Sequence, residues 1–392
     1  MGTLKFDVGG MTCGGCVARV QHVLGRLQGD ARPVKTKGLV MKAMRLRHLG
    51  VMAQASVLVW ATWALPANAT GAKVYVAVED AGTVSVLDVA SMKKIGSIAV
   101  GQGPHNVQVS PDGKLVWVTN NGEPVKTADS KANHHMAKSG HQGMAAIGEV
   151  WAIDTATDAV VAKIPVGAHP AHVVVSSDSR FAYITNGVAN TVSVVDTAAR
   201  IVIATIPVGA SPHGIRISPD GRQAYVANLK GGSVSVIDMT NHQEVAQIPV
   251  GKGPVQVGFT PDDRFAFVSL SGENAVAVID PRTRKVIRKV AVGPVPIQLV
   301  ATPDSRLLLV ANQGSRKTPG KTVSMIDLEN FNVTKTVETG LGAHGVVIDR
   351  DGRYAYVTNS YAGTVSVVDI KSQNVVATVP VGKGPNGVSM TP

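Results

Sequence analysis

Cysteine is nearly absent. The 392-residue chain holds two, Cys13 and Cys16, and none after them, so no disulfide framework supports the fold. Aromatic residues make up only 4% of the chain and charged residues 17%. So few rings offer little for base stacking, which argues against single-stranded nucleic acid as a partner. No Gly-x-Ser-x-Gly elbow and no P-loop occur, which removes the usual signatures of serine hydrolases and nucleoside triphosphatases. The 41 glycines follow no three-residue period, which excludes collagen and suggests many tight turns. Hydrophobic residues, by contrast, reach 44%. That is ample for a packed core and excludes wholesale disorder.

The formal net charge of +11 is unevenly placed. Residues 1–69 carry nine Lys and Arg against Asp7 and Asp30, and the rest of the chain holds 29 basic and 25 acidic groups. The high pI therefore implies no polyanion-binding body. Residues 41–69 read as a secretory signal peptide. Met41 to His48 is a basic n-region, Val51 to Pro66 is an uncharged apolar stretch, and Ala67-Asn68-Ala69 is an A-x-A cleavage site. The expectation is cleavage after Ala69, a mature chain from Thr70 in the bacterial periplasm, and no remaining membrane span.

Forty residues precede that signal. Within them Gly10-Met11-Thr12-Cys13-Gly14-Gly15-Cys16 resembles the metal-binding loop of heavy-metal-associated domains, over about Leu4 to Gly29. Two thiolates before a helix N-terminus suit a soft monovalent metal, so Cys13 and Cys16 are candidate ligands. The rest of that small domain is missing, and half of it cannot bury a sheet. Three readings stand for residues 1–40: translation begins at Met41 or Met44, the segment is a relic of fusion or frameshift, or it is a metal-binding tail.

A repeat fills the remainder. Val-Gly recurs with its glycine at 101, 167, 209, 251, 293 and 382, and Thr339-Gly340 takes the same role. The intervals are 66, 42, 42, 42, 47 and 42, a period of 42 with insertions of 24 and 5. Each period carries four short β-branched segments separated by turns such as Pro219-Asp220-Gly221, which predicts a four-stranded propeller blade. The C-terminal Gly387 to Pro392 supplies a first strand without a blade, and Lys73 onward supplies three strands without a first. The expected fold is all-β, a seven-bladed propeller over residues 70–392 with one blade shared by both termini.

Tyr356-Val357-Thr358-Asn359, with Trp117 to Asn120, Tyr183 to Asn186, Tyr225 to Asn228 and Leu309 to Asn312, resembles the tetrad of the YVTN family of β-propellers. Phe267 to Leu270 departs from it and loses the Asn. The resemblance implies the fold. It leaves function open among binding modules, surface proteins and cofactor enzymes.

Eight of the eleven histidines map to one face of such a ring. His105, His213 and His344 stand four residues after their blade glycines, and His172 stands five after its own. All four sit at the mouth of an innermost strand. The 24-residue insertion, about Gly122 to Gly148, adds His134, His135, Met136, His141 and Met144, and His169 lies in another loop of that face. Imidazoles suit zinc, copper and iron, and thioether favours monovalent copper. The bland alternative is that Pro-His-Gly belongs to the repeat consensus and bonds loop carbonyls. Gly340 to Gly345 matches a dinucleotide fingerprint but joins two strands, so it carries no cofactor. One Asp per blade, from Asp88 to Asp369, reads as a turn former. Arg316, Lys317 and Lys321 make a small basic patch.

The expected function is a monomeric, exported binding protein. It would meet a small ligand or protein partner at this face and be associated with a transition metal, copper first and zinc next. The alternatives are a periplasmic enzyme with a haem-like or quinone cofactor, or a scaffold. The only Cys-x-x-Cys is followed by Val17, not His, so no c-type haem attachment exists.

Overall fold

The computed structural model describes residues 71–122 and 147–392. They form seven four-stranded antiparallel sheets, the blades of a propeller. Blade I pairs Lys73–Val78 with Pro385–Met390 and so closes the ring with both ends of the chain. Blades II to VII follow in order. Their innermost strands are Pro104–Val109, Pro170–Val175, Pro212–Ile217, Pro254–Phe259, Pro296–Ala301 and Ala343–Ile348. The seven-bladed expectation and the shared blade are both observed. The only helix among the described residues is the single 3-10 turn Glu79–Ala81, and none is long and apolar enough to cross a membrane.

The core lies between blades. Alternating residues of each strand face opposite neighbours, so Tyr225, Val234 and Val236 of blade IV pack on Val257, Val268 and Ala277 of blade V. The same layer recurs around the ring. The seven aspartates at the ends of the third strands each accept backbone N–H groups two or three residues on, as Asp238 does from Thr240 at 2.7 Å. They are turn formers, as their spacing suggested.

The period itself has a steric cause. The tetrad asparagines are buried, and Asn186, Asn228, Asn312 and Asn359 each donate to two hydroxyls of the third strand. The blade glycine lies against that amide. A Cβ at Gly293 would stand 2.6 Å from Asn312 Cγ, and one at Gly340 would stand 2.7 Å from Asn359 Cγ. Asn and Gly are thus one unit. In blades V and I, where Leu270 and Val78 replace the Asn, the matching Gly251 and Gly382 turn to φ of 133° and 126°.

Two details position the channel mouth. The residue before each innermost strand is left-handed in all seven blades: Gly103, His169, Ser211, Gly253, Val295, Gly342 and Gly384. Immediately after, the ladder register breaks at the second and third residues of every innermost strand. Those two residues are therefore released from regular pairing and gather at the rim.

Asn228→Ala is expected to lower stability by about 2–3 kcal/mol, because two buried hydroxyls lose their donor and a void opens against Gly209. Urea denaturation measures it. A loss below about 0.5 kcal/mol would show that the Asn–Gly unit does not hold the blade.

Candidate metal centre

Hydroxyls of the second strands stitch neighbouring blades together at the released residues. Thr185 accepts the N–H of His172 at 2.9 Å and donates to the carbonyl of His213 in the next blade at 2.6 Å. Thr119 does the same for Asn106 and Ala171, Ser269 for Gln256 and Ile297, and Thr358 for Gly345 and Asn386. The backbones carrying His172 and His213 are therefore fixed through a single hydroxyl.

The side chains of three consecutive blades then converge. His105, His172 and His213 each offer a ring nitrogen, and the three nitrogens lie within 4.8 Å of one another. His105 Nε2 and His213 Nε2 are 3.3 Å apart. Two nitrogens each about 2.0–2.1 Å from one tetrahedral ion stand about 3.3 Å apart, so this pair already has the spacing of bound ligands. His172 is fully buried and His105 is 5% exposed. His344, equally buried, sits beside them with its ring 6.3 Å from that of His105.

The hydrogen-bond network orders the protons. His213 Nδ1 faces the carbonyl of Val255 at 3.1 Å. A carbonyl only accepts, so Nδ1 holds the proton and Nε2 turns its lone pair to His105. His105 Nε2–H then donates across the 3.3 Å gap, and its Nδ1 meets the amide of Asn386 at 3.4 Å. Asn386 also donates to Glu79, whose carboxylate is 3.9 Å from His105 Nδ1. An ion entering between the two Nε2 atoms would displace the proton of His105. Moved to Nδ1, that proton would face Glu79, the carboxylate–histidine arrangement that supports metal ligands elsewhere. His172 Nδ1 lies 3.5 Å from the amide nitrogen of Gln256, whose oxygen is held by the N–H of Val257. Its Nε2 is buried with no partner among the described residues.

Burial keeps His172 neutral. Its pKa lies well below the ordinary imidazole value, first by desolvation and then by His213, His105, Arg216 and His344. His169 stands exposed on the rim at φ 56°.

Of the histidines singled out in sequence, the structure brings His105, His172 and His213 together, with His344 at their edge. Register alone favoured His105, His213 and His344. His172 joins because the released pair of residues puts both its positions at the mouth. His344 stays outside the trio because blade VII is not adjacent to blades II to IV. His134, His135, Met136, His141 and Met144 lie outside the described residues, as do Cys13 and Cys16. Sequence reasoning missed Glu79, Asn386, Gln256 and Thr185. Aligning the innermost strands, six of which begin with Pro and the seventh with Ala343, would have shown Asn106, Gln256, Gln298 and Asn386 as further polar residues at the released positions. In the basic patch, Lys321 pairs with Glu338 at 2.7 Å and Arg316 covers the ring of Tyr361.

A YNCE-like beta-propeller family model matches residues 117–260 and 254–391. The chain belongs to the YNCE-like beta-propeller family. Antigen Lp49 of Leptospira interrogans is 30% identical over 122 residues, which span 31% of this chain and 25% of that protein. Among solved structures, hydrazine synthase of Kuenenia stuttgartiensis is 25% identical with a TM-score of 0.58, covering 72% of this chain and 88% of that one. Dihydro-heme d1 dehydrogenase NirN in complex with DHE is 18% identical with a TM-score of 0.58, covering 81% and 74%. The last shares the fold alone with this YNCE-like propeller.

The neutral, buried His172 gives a pH dependence of definite sign. The unfolded chain takes up a proton near pH 6.5, and the folded site does so only at lower pH. Its stabilising contribution is present above pH 6.5 and declines as pH falls, by up to about 1.4 kcal/mol per pH unit. Denaturation midpoints between pH 7.5 and 5 are expected to fall, and His172→Gln to flatten the slope. An unchanged slope in that variant would contradict the assignment.

Proposed function

We propose that this YNCE-like propeller is an exported binding protein that holds one transition-metal ion at the mouth of its central channel. His105 and His213 are the core ligands and His172 is the third. The observation that carries this reading is the 3.3 Å spacing of two Nε2 atoms beside a third buried imidazole. Three imidazoles would leave one coordination position open, as sites that bind a small ligand require. The n-region, apolar stretch and A-x-A site of residues 41–69 support export.

Copper is the first candidate and zinc the second. Imidazole serves both. Met136 and Met144 in the inserted loop, and the Cys13–Cys16 motif in the same chain, favour monovalent copper. The inserted loop, with His134, His135 and His141, would capture or gate the ion. The same face would meet a small ligand or a protein partner. The cofactor-enzyme alternative has less support at this site. The imidazole centroids of His105, His172 and His213 are only 4.7–5.7 Å apart, which leaves no passage between them for a flat macrocycle.

Purified protein should carry about one copper or zinc ion per chain by elemental mass spectrometry. His213→Ala is expected to lower the affinity at least 10-fold, and His134→Ala with His135→Ala to weaken it less. Uptake should weaken as pH falls, because a protonated imidazole has no lone pair left for the ion. No ion at saturating copper and zinc, or full occupancy in His213→Ala, would overturn the reading.

A further inference from the structure

Two strands far apart in sequence build the wall behind His105. Glu79 opens the single turn that follows Lys73–Val78, and Asn386 is the second residue of the last strand, Pro385–Met390. The Asn386 amide donates to the Glu79 carboxylate. The same amide nitrogen lies 3.4 Å from His105 Nδ1, and the carboxylate lies 3.9 Å from that atom. Asn386 is 2% exposed and His105 5%, so their meeting is shielded from competing water.

The last strand also lies directly on the backbone that carries His105. A Cβ at Gly387 would stand 2.7 Å from Cα of Asn106 and 3.0 Å from the carbonyl oxygen of His105. Only Gly permits this approach. Two residues on, Ser389 accepts the N–H of Val109 at 3.0 Å.

The attachment of this strand differs from that of the other innermost strands. Those six run through a turn into the second strand of the same blade. Pro385–Met390 instead follows the outer strand of blade VII, and joins blade I only by pairing with Lys73–Val78. Its further holds are a bond from the Thr358 hydroxyl to the Asn386 carbonyl at 2.6 Å and one from the Glu79 N–H to the Gly384 carbonyl at 2.9 Å. A strand held in this way can lift without unfolding the blades beside it. Lifting takes Asn386 away from Glu79 and releases the turn that carries the carboxylate.

We propose that docking of the last strand and occupancy of the metal site are one linked equilibrium, with Glu79 and Asn386 as positioning residues for His105. This coupling rests on the metal reading above and adds to it the element that the ion controls. With an ion on Nε2, a neutral His105 carries its proton on Nδ1, where the Glu79 carboxylate is placed to accept it. Asn386 fixes that carboxylate by donating to it. The ion therefore binds the docked ring more tightly than the lifted one. Linkage then requires the ion to hold the strand down by the same factor.

The test is hydrogen exchange of the full chain, stripped with chelator and then loaded with zinc or monovalent copper, with the metal content of each sample measured. Amides of residues 387–390 should exchange at least 10-fold more slowly with the ion. Those of Pro296–Ala301, an innermost strand without a ligand, should change less than 2-fold. Glu79→Gln should lower the metal affinity about 10-fold and move the Nδ1–H resonance of His105 upfield in the loaded protein, which lost packing alone would not do. Asn386→Ala should lower the affinity and remove the extra protection of 387–390. The exchange measurement on the unmodified protein does not depend on either variant folding. A bound ion with residues 387–390 protected no more than Pro296–Ala301 would overturn the linkage and leave the metal site standing. Unchanged affinity and resonance in Glu79→Gln would overturn the positioning role. No retained ion would overturn the metal reading and the linkage with it.

Discussion

One hydroxyl sets the geometry on which the site depends. Thr185 accepts from the backbone of His172 and donates to the backbone of His213, one blade away. Without such stitches the released residues at the top of each innermost strand would be held by a single turn. With them, the mouths of adjacent blades keep a fixed spacing, and the imidazoles they carry approach within ligand distance. Ring closure through blade I extends the constraint to Asn386 and so to Glu79. The residues of the tetrad thus act at three levels. Tyr fills the layer between blades, Asn fits the blade glycine, and Thr carries the inter-blade bond.

The chemistry of the channel follows from what it encloses. Backbone and apolar layers leave few charges near the axis, so each polar side chain there is exposed to a poorly solvating environment. The buried His172 answers by staying neutral, which is the form that binds metal.

The fold was legible in the sequence because it is enforced at every period by the same steric unit. An Asn that needs a Gly opposite it, repeated every 42 residues, leaves a spacing that survives insertions of 24 and 5. The site was legible only in part. Its histidines were visible as residues, but their grouping depended on a break in strand register that the sequence does not mark. Counting from the blade glycine separated His172 from its neighbours by one position, and the structure removes that distinction. Glu79 and Asn386 were not visible, since they come from opposite ends of the chain and meet only through the shared blade.

The most direct test of the central claim, that three blades assemble one ion site, is anomalous diffraction. Crystals of the protein would be equilibrated with copper or zinc and data collected on both sides of the absorption edge. The account requires a single strong peak about 2 Å from Nε2 of both His105 and His213, with His172 turned toward it. A clean map at that point, with the 3.3 Å His105–His213 contact unchanged in saturating metal, would contradict it and return these histidines to the packing of the ring.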